Sequence, residues 1–207
     1  MEACHLDVRN GKEVADLFSR LSAEFGGVDI LVHCAGSTLP GKNVWDMEEA
    51  DFQSLIQTHL IGSFLCVKEA SRNMVSRQFG RIVLIGSMAG ISGLYGKSHY
   101  ASAKAGMCGL TLSVAKEFIG TGVTINLIAP GLIVTPMSQR SFGDVPLTGG
   151  GTPEDVAALV KYLTSREARH INGTIIPFDG GQSLMKSIDV VMKKQVVGQE
   201  NKGVCGA

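Results

Sequence analysis

What most constrains this 207-residue chain is an alternation of short, continuously apolar runs with longer amphipathic stretches. The runs are Ala3–Val8, Val28–Cys34, Arg81–Gly86, Val123–Ile128 and Thr174–Phe178. Between them the spacing predicts helices near 11–25, 48–77, 98–119 and 153–164. A strand that is apolar at nearly every position needs cover on both faces, which is the setting of a parallel sheet flanked by helices. The predicted fold is therefore α/β, a doubly wound parallel sheet. Thr152-Pro153-Glu154-Asp155 reads as a helix start, with a capping hydroxyl, proline at the first helical position and acids in the first turn. Residues 1–185 are expected to form one domain, and 186–207, where periodicity is lost, a C-terminal tail.

Charge narrows the possible partners. Lys+Arg and Asp+Glu number 19 each, without basic stripes or charge blocks, so neither nucleic acid nor an anionic membrane surface is expected as a partner. The 26 glycines cluster at the ends of apolar runs, as strand-to-helix turns require. Five cysteines (Cys4, Cys34, Cys66, Cys108, Cys205) are an odd number without a C-x-x-C pair, which argues against a disulfide framework or a zinc site. No apolar stretch approaches the ~18–20 residues that span a bilayer, and no leader is read at the start. A reducing, soluble compartment, the cytoplasm, is the expected location.

The chemistry-bearing residues are few. Tyr100 and Lys104 stand four apart at the start of a predicted helix, one turn, so phenol and ammonium share a face. A free phenol has a pKa of about 10. A neighbouring cation should lower it and suit the tyrosine to general acid/base work near neutrality. Ser87 closes the apolar run ending Ile-Gly-Ser, beyond the carboxyl end of a predicted parallel strand, where ligands of open α/β sheets bind. A Y-x-x-x-K pair alone is equally a surface ion pair or a core tyrosine. Ser87 upstream and Asn126-Leu-Ile-Ala-Pro-Gly131 downstream give it company.

Over residues 2–185 these motifs, in this order, resemble the short-chain dehydrogenase/reductase family. Leu6-Asp7-Val8 is similar to the family's third-strand end, and Val28 through Cys34-Ala35-Gly36 to its fourth strand and Asn-Asn-Ala-Gly turn. Gly80 through Ser87 resembles the fifth strand with its serine, and Phe178-Asp179-Gly180-Gly181 the final strand turn. The stretch from Tyr100 to Met137 is most similar to the 3-oxoacyl-[acyl-carrier-protein] reductase branch. The resemblance implies a Rossmann-like fold and hydride transfer between NAD or NADP and a ketone or secondary alcohol, with 3-oxoacyl thioesters in view. It implies Tyr100 as proton donor, Ser87 on the carbonyl oxygen, and Lys104 on the nicotinamide ribose. Asp7, Val8, Cys34, Ala35, Gly36, Pro130, Gly131, Ile133 and Thr135, with Tyr100 and Lys104, are the implied cofactor contacts.

The sequence departs from the family pattern at several points. Met1 lies almost at the family's third strand, so the fold is expected to be N-terminally truncated. It lacks the strand–turn–helix whose glycine-rich T-G-x-x-x-G-x-G receives the pyrophosphate. The choice between NAD and NADP is unreadable, and the run 28–34 should have an unpaired apolar edge. His59 replaces the family's asparagine, the fourth catalytic residue. An imidazole can also hold a water, or simply satisfy nearby backbone. Cys34 stands where the turn usually has asparagine. The segment Thr135 to Pro146 leaves few residues for a substrate lid, and Gly149-Gly150 replaces a common Gly-Arg. His5, His33, His99 and His170 are read as structural or surface residues. Met88, Met107 and Met137 are read as packing residues, Met137 with the alternative of lining the substrate entrance, and Trp45 as packing.

Small residues on the helices 51–77 and 98–119, among them Ala101, Ala105, Gly106, Gly109 and Ser113, permit close helix approach. The resemblance implies a homo-oligomer, dimer or tetramer, through this face. The competing functional reading is a non-catalytic homologue serving as a binding or scaffold subunit of a complete relative.

Overall fold

The computed structural model describes residues 3–138 and 150–184. Four parallel strands form one sheet in the order β1-β2-β3-β4: β1 Ile30–His33, β2 Gly80–Ile85, β3 Val123–Pro130 and β4 Ile175–Phe178. Register pairs Ile30 with Arg81, Ile82 with Ile125 and Leu127 with Ile175. Among the described residues six helices accompany them: α1 Gly11–Phe25, α2 Glu49–Leu55, α3 Gly62–Ser76, α4 Ala89–Ser92, α5 Ser98–Glu117 and α6 Pro153–Leu163.

Both sheet faces are covered, as the continuous apolar runs predict. Ile82, Leu84, Ile125 and Leu127 pack with Val67, Ala70 and Met74 of α3 and Met107 and Ala115 of α5. Val83 and Ile128 point the other way, onto Leu163, Val156 and Leu159 of α6. Burying a large aliphatic side chain contributes roughly 1.5–3 kcal/mol, so β2 and β3, buried almost throughout, anchor the fold. Two asparagines inside it are paired with backbone. Asn126 donates to the Ile171 carbonyl (2.7 Å) and accepts from Thr174 N–H (3.0 Å), while Asn172 accepts from Ile125 N–H (3.0 Å), lacing β3 to the approach of β4. The expected start of α6 is a full capping box, Thr152 and Asp155 each bonded to the other's backbone.

Three expectations need correction. Ala3–Val8 is not a strand: a strand exists by pairing its peptide groups, and this run has no neighbour in the sheet. Its end turns instead into α1, capped by the Asn10 side chain. The single helix expected over 48–77 is interrupted by a π-helical segment, Ile56–Ile61, where Gly62 and Ser63 weaken the α pattern. Trp45 does not pack: it lies in a 3-10 turn, 78% exposed. The expected apolar edge is present. β1 borders the sheet with Ile30 and Val32 exposed. The 186–207 tail, Cys205 and most of the lid segment lie outside the described residues.

Candidate active site

The carboxyl ends of β1, β2 and β3 open on the same side of the sheet, since the strands are parallel. From β1 the chain enters the turn Cys34-Ala35-Gly36, all exposed. From β2 it passes to Ser87 and α4, and Met88 N–H bonds the Pro130 carbonyl (2.9 Å), tying the exits of β2 and β3 together. Helix α5 brings Tyr100 and Lys104 beneath this rim. Gly90 lets it come close: a Cβ there would lie 2.7 Å from the Lys104 carbonyl carbon, so α4 rests on α5 at the lysine.

The structure brings Ser87, Tyr100 and Lys104 together. Lys104 is buried, and its ammonium donates to the Ile85 carbonyl at the end of β2 (2.8 Å). The same nitrogen lies 5.7 Å from the centroid of the Tyr100 ring. Burial pulls the lysine pKa down to about 8. Burial also raises that of Tyr100, with a hydrogen bond from Ser87 working in the opposite direction. The expectation that Lys104 would acidify Tyr100 therefore fails in the free site. Desolvation of the phenolate outweighs the Ser87 hydrogen bond, and the Lys104 ammonium is spent partly on Ile85.

His59 joins the group from the π segment. Its ring meets Tyr100 edge to face, centroids 5.3 Å apart. Nε2 lies 2.8 Å from the Ser37 carbonyl oxygen and 3.3 Å from Ser37 N–H. One nitrogen cannot both donate and accept, so the shorter contact makes Nε2 the protonated donor. Nδ1 is buried without a partner. Gly36 makes room for the ring, since a Cβ there would sit 2.5 Å from His59 Cε1. Burial first, and the Lys104 cation second, pull the His59 pKa down to about 4.

The remaining expected contacts divide. Pro130 and Gly131 lie at the rim, Gly131 N–H bonded to the Phe178 carbonyl (3.0 Å) and its Cα against Asp179. Ile133 bridges to Gly151, and Thr135 exchanges hydrogen bonds with Ser138 at the start of a helical turn (2.8 and 3.1 Å). Val8 packs on Gly62 at the end of the π segment. Asp7 turns away from the group into a fork with Arg9 (2.7–3.1 Å) that holds its carboxyl pKa at about 2. Of the methionines, Met107 is buried, Met88 packs against the core and Met137 is 39% exposed. A cavity of about 370 Å³ between Leu132, Gly151, Asp155, Phe178 and Asp179 reaches none of Ser87, Tyr100 and Lys104.

Sequence reading passed over Ser63 and Gly90 and took His33 as a structural or surface residue. Ser63 Oγ donates to the His59 carbonyl (2.5 Å) and lies 3.2 Å from His33 Nδ1. The signal was present for Gly90, a glycine one residue into a short helix after Ser87. For His33, only its place at the end of an apolar run hinted at a partner.

A half-buried tyrosine, a buried lysine and a serine at the carboxyl end of a parallel α/β sheet form a site of the kind expected for a nicotinamide-dependent oxidoreductase. Comparison with known proteins agrees. Residues 1–183 match the family model described as enoyl-(acyl carrier protein) reductase. The chain is 35% identical to the 3-oxoacyl-[acyl-carrier-protein] reductase FabG of Vibrio cholerae, over 87% of this chain and 77% of the relative. It is 38% identical to the 3-oxoacyl-[acyl-carrier-protein] reductase of Synechocystis, over 86% and 74%. The structure of ElxO with NADP bound superposes with a TM-score of 0.81 at 31% identity, covering 87% of this chain and 77% of that one. Levodione reductase gives 0.82 at 30%, covering 87% and 76%. The chain belongs to the short-chain dehydrogenase/reductase family of NAD(P)-dependent oxidoreductases. Among the described residues no helix is long and apolar enough to cross a membrane.

Proposed function

We propose that this chain reduces the ketone of a 3-oxoacyl thioester, carried on a protein or a smaller thiol, with NADPH as reductant and Tyr100 as proton donor. The observation that carries the reading is the Tyr100 hydroxyl, bonded to Ser87 and backed by the Lys104 ammonium at the strand ends. Relatives named for 3-oxoacyl reduction supply the substrate class, and neighbours holding NADP or NADPH supply the cofactor.

The residues fit the nicotinamide–ribose end of such a cofactor. Lys104 makes one hydrogen bond among the described residues although an ammonium has three donors, which leaves donors for ribose hydroxyls. The bare turn 34–36 gives a backbone-lined cradle, and Pro130, Gly131, Ile133 and Thr135 line the opposite rim. Asp7 and Val8 are assigned to the adenine end. A glycine-rich pyrophosphate turn is not among the described residues. When bound, the nicotinamide supplies the hydride.

Tyr100 then acts as the acid. Its raised pKa keeps the phenol protonated at neutral pH, ready to give its proton to the carbonyl oxygen as that oxygen gains negative charge. Ser87 holds the same oxygen and afterwards the phenolate. Lys104, cationic below about pH 8, stabilises the phenolate, which in a buried site is worth more than in water. His59 is assigned to the site through its grip on Ser37 and its bare Nδ1.

A homodimer or tetramer is proposed through α5. Ala105, Gly109, Leu112 and Ser113 are exposed along it, and a Cβ on Gly109 would meet nothing within 4 Å. Gly106 is instead occupied by Leu60 of the same chain. A cytoplasmic location is proposed, in keeping with the 3-oxoacyl-[acyl-carrier-protein] reductases among the relatives.

The test is turnover. The purified chain with NADPH and a short 3-oxoacyl thioester should consume NADPH, and Tyr100→Phe should lower kcat by at least about a hundredfold. NADPH consumption that Tyr100→Phe leaves intact, or none by the parent chain, would refute the reading.

A further inference from the structure

The turn Cys34–Gly36 is bracketed by two residues, His33 and Ser37, and both are tied to one helix, the π segment and its continuation α3. Ser37 is clamped by His59 Nε2 (2.8 Å). His33 is bonded through Nδ1 to Ser63 (3.2 Å), four residues beyond His59. The Ser63 hydroxyl proton is committed to the His59 carbonyl (2.5 Å). Only lone pairs then remain on Ser63 Oγ for His33, so His33 must donate: it carries its proton on Nδ1. All three side chains are within the interior, His33 4% exposed, His59 2% and Ser63 0%. His33 Nε2 and His59 Nδ1 are both buried without partners.

We propose that His33 is a positioning residue of the active site, acting through Ser63 to hold the π segment that aims His59 at the turn 34–37. A π segment is a local departure from α pairing, and the Ser63 hydroxyl secures the carbonyl of its central histidine. That hydroxyl keeps its direction because His33 occupies its lone pairs. Covalent continuity from His33 to Ser37 closes the circuit, so the turn is held at both ends against one helix. The consequence for cofactor rests on the function proposed above; the hydrogen-bond circuit does not.

Two measurements on the full chain test this. In ¹⁵N-labelled protein, His33 should show a protonated Nδ1 and His59 a protonated Nε2. His33→Phe keeps a ring but no donor, whereas His33→Asn retains an N–H donor. His59 Hε2 exchange with water should quicken about tenfold in His33→Phe and in Ser63→Ala, as loss of one buried hydrogen bond implies. It should stay within about threefold of the parent in His33→Asn, and His33→Phe added to Ser63→Ala should change nothing further. Unchanged exchange in Ser63→Ala, or His33→Asn as fast as His33→Phe, overturns the proposal, and these variants decide it even where His33→Phe does not fold. The dissociation constant for NADPH should rise about tenfold in Ser63→Ala and less than threefold in His33→Asn. Quickened exchange with an unchanged constant overturns the positioning role. A parent chain that binds no NADPH defeats the proposed function instead, and the exchange measurement still decides the circuit.

Discussion

Acidification between pH 6.5 and 4 is expected to remove much of this chain's stability through two imidazoles, those of His33 and His59. Both are buried, and burial with the Lys104 cation pulls both pKa values from an ordinary 6.5 to about 4. The unfolded chain takes up two protons over that interval that the folded chain refuses. Stability rises with pH wherever the unfolded state binds more protons, so it is full above pH 6.5 and lost as pH falls toward 4. At roughly 1.4 kcal/mol per pH unit, each imidazole contributes up to about 3 kcal/mol of that loss. A domain's whole stability is about 5–15 kcal/mol. Carboxylates held low by hydrogen bonds, Asp7, Asp155 and Asp179, act below this window. Urea midpoints measured every half unit from pH 7.5 to 4, at constant ionic strength, should fall much more steeply in the parent than in the double variant His33→Asn/His59→Asn. Parallel curves for the two proteins would refute the reasoning, because the slope would then come from other groups.

Three further outcomes follow from the same geometry. The rate of carbonyl reduction should fall as pH rises through about 8, because Lys104 loses its charge there and can no longer stabilise the phenolate; a flat profile to pH 10 would count against that role. Gly36→Ala places a methyl 2.5 Å from His59 Cε1 and should destabilise by about 1–3 kcal/mol, read as a lower urea midpoint. Val32→Lys, on the exposed face of the edge strand, should change stability by less than about 0.5 kcal/mol while reducing light scattering on concentration.

The sheet was legible because its signal is redundant: β2 and β3 are mostly apolar, with only Arg81, Thr124 and Asn126 interrupting, and glycines stand at their ends. The run Ala3–Val8 reads as a strand too but forms none, since pairing depends on a neighbour that local sequence does not encode. The π segment was equally hidden. Its residues include no glycine or proline to mark a break, and what distinguishes them is where His59 and Ser63 find partners in the folded chain. The proposed catalytic group could be read from spacing, one turn for Tyr100 and Lys104 and a strand end for Ser87. The tyrosine's protonation could not. Spacing announces the cation beside the phenol, but the depth at which both are buried comes from tertiary packing, and that depth reverses the expected shift.

Burial ties the site's chemistry to the fold's marginal stability. An ammonium, a phenol and two imidazoles share a region where charging any of them is costly. That cost keeps Tyr100 protonated and ready to donate. It also makes phenolate formation depend on Lys104, whose charge becomes most valuable when the phenol gives up its proton. The imidazoles, kept neutral at working pH, add polar contacts without adding a second cation beside Lys104. A protonated His59 would oppose the lysine's charge and withdraw its grip from neither Ser37 nor the turn, so its neutrality matters to electrostatics more than to geometry. On that logic the same desolvation that favours proton donation near neutrality is what makes the fold yield in acid.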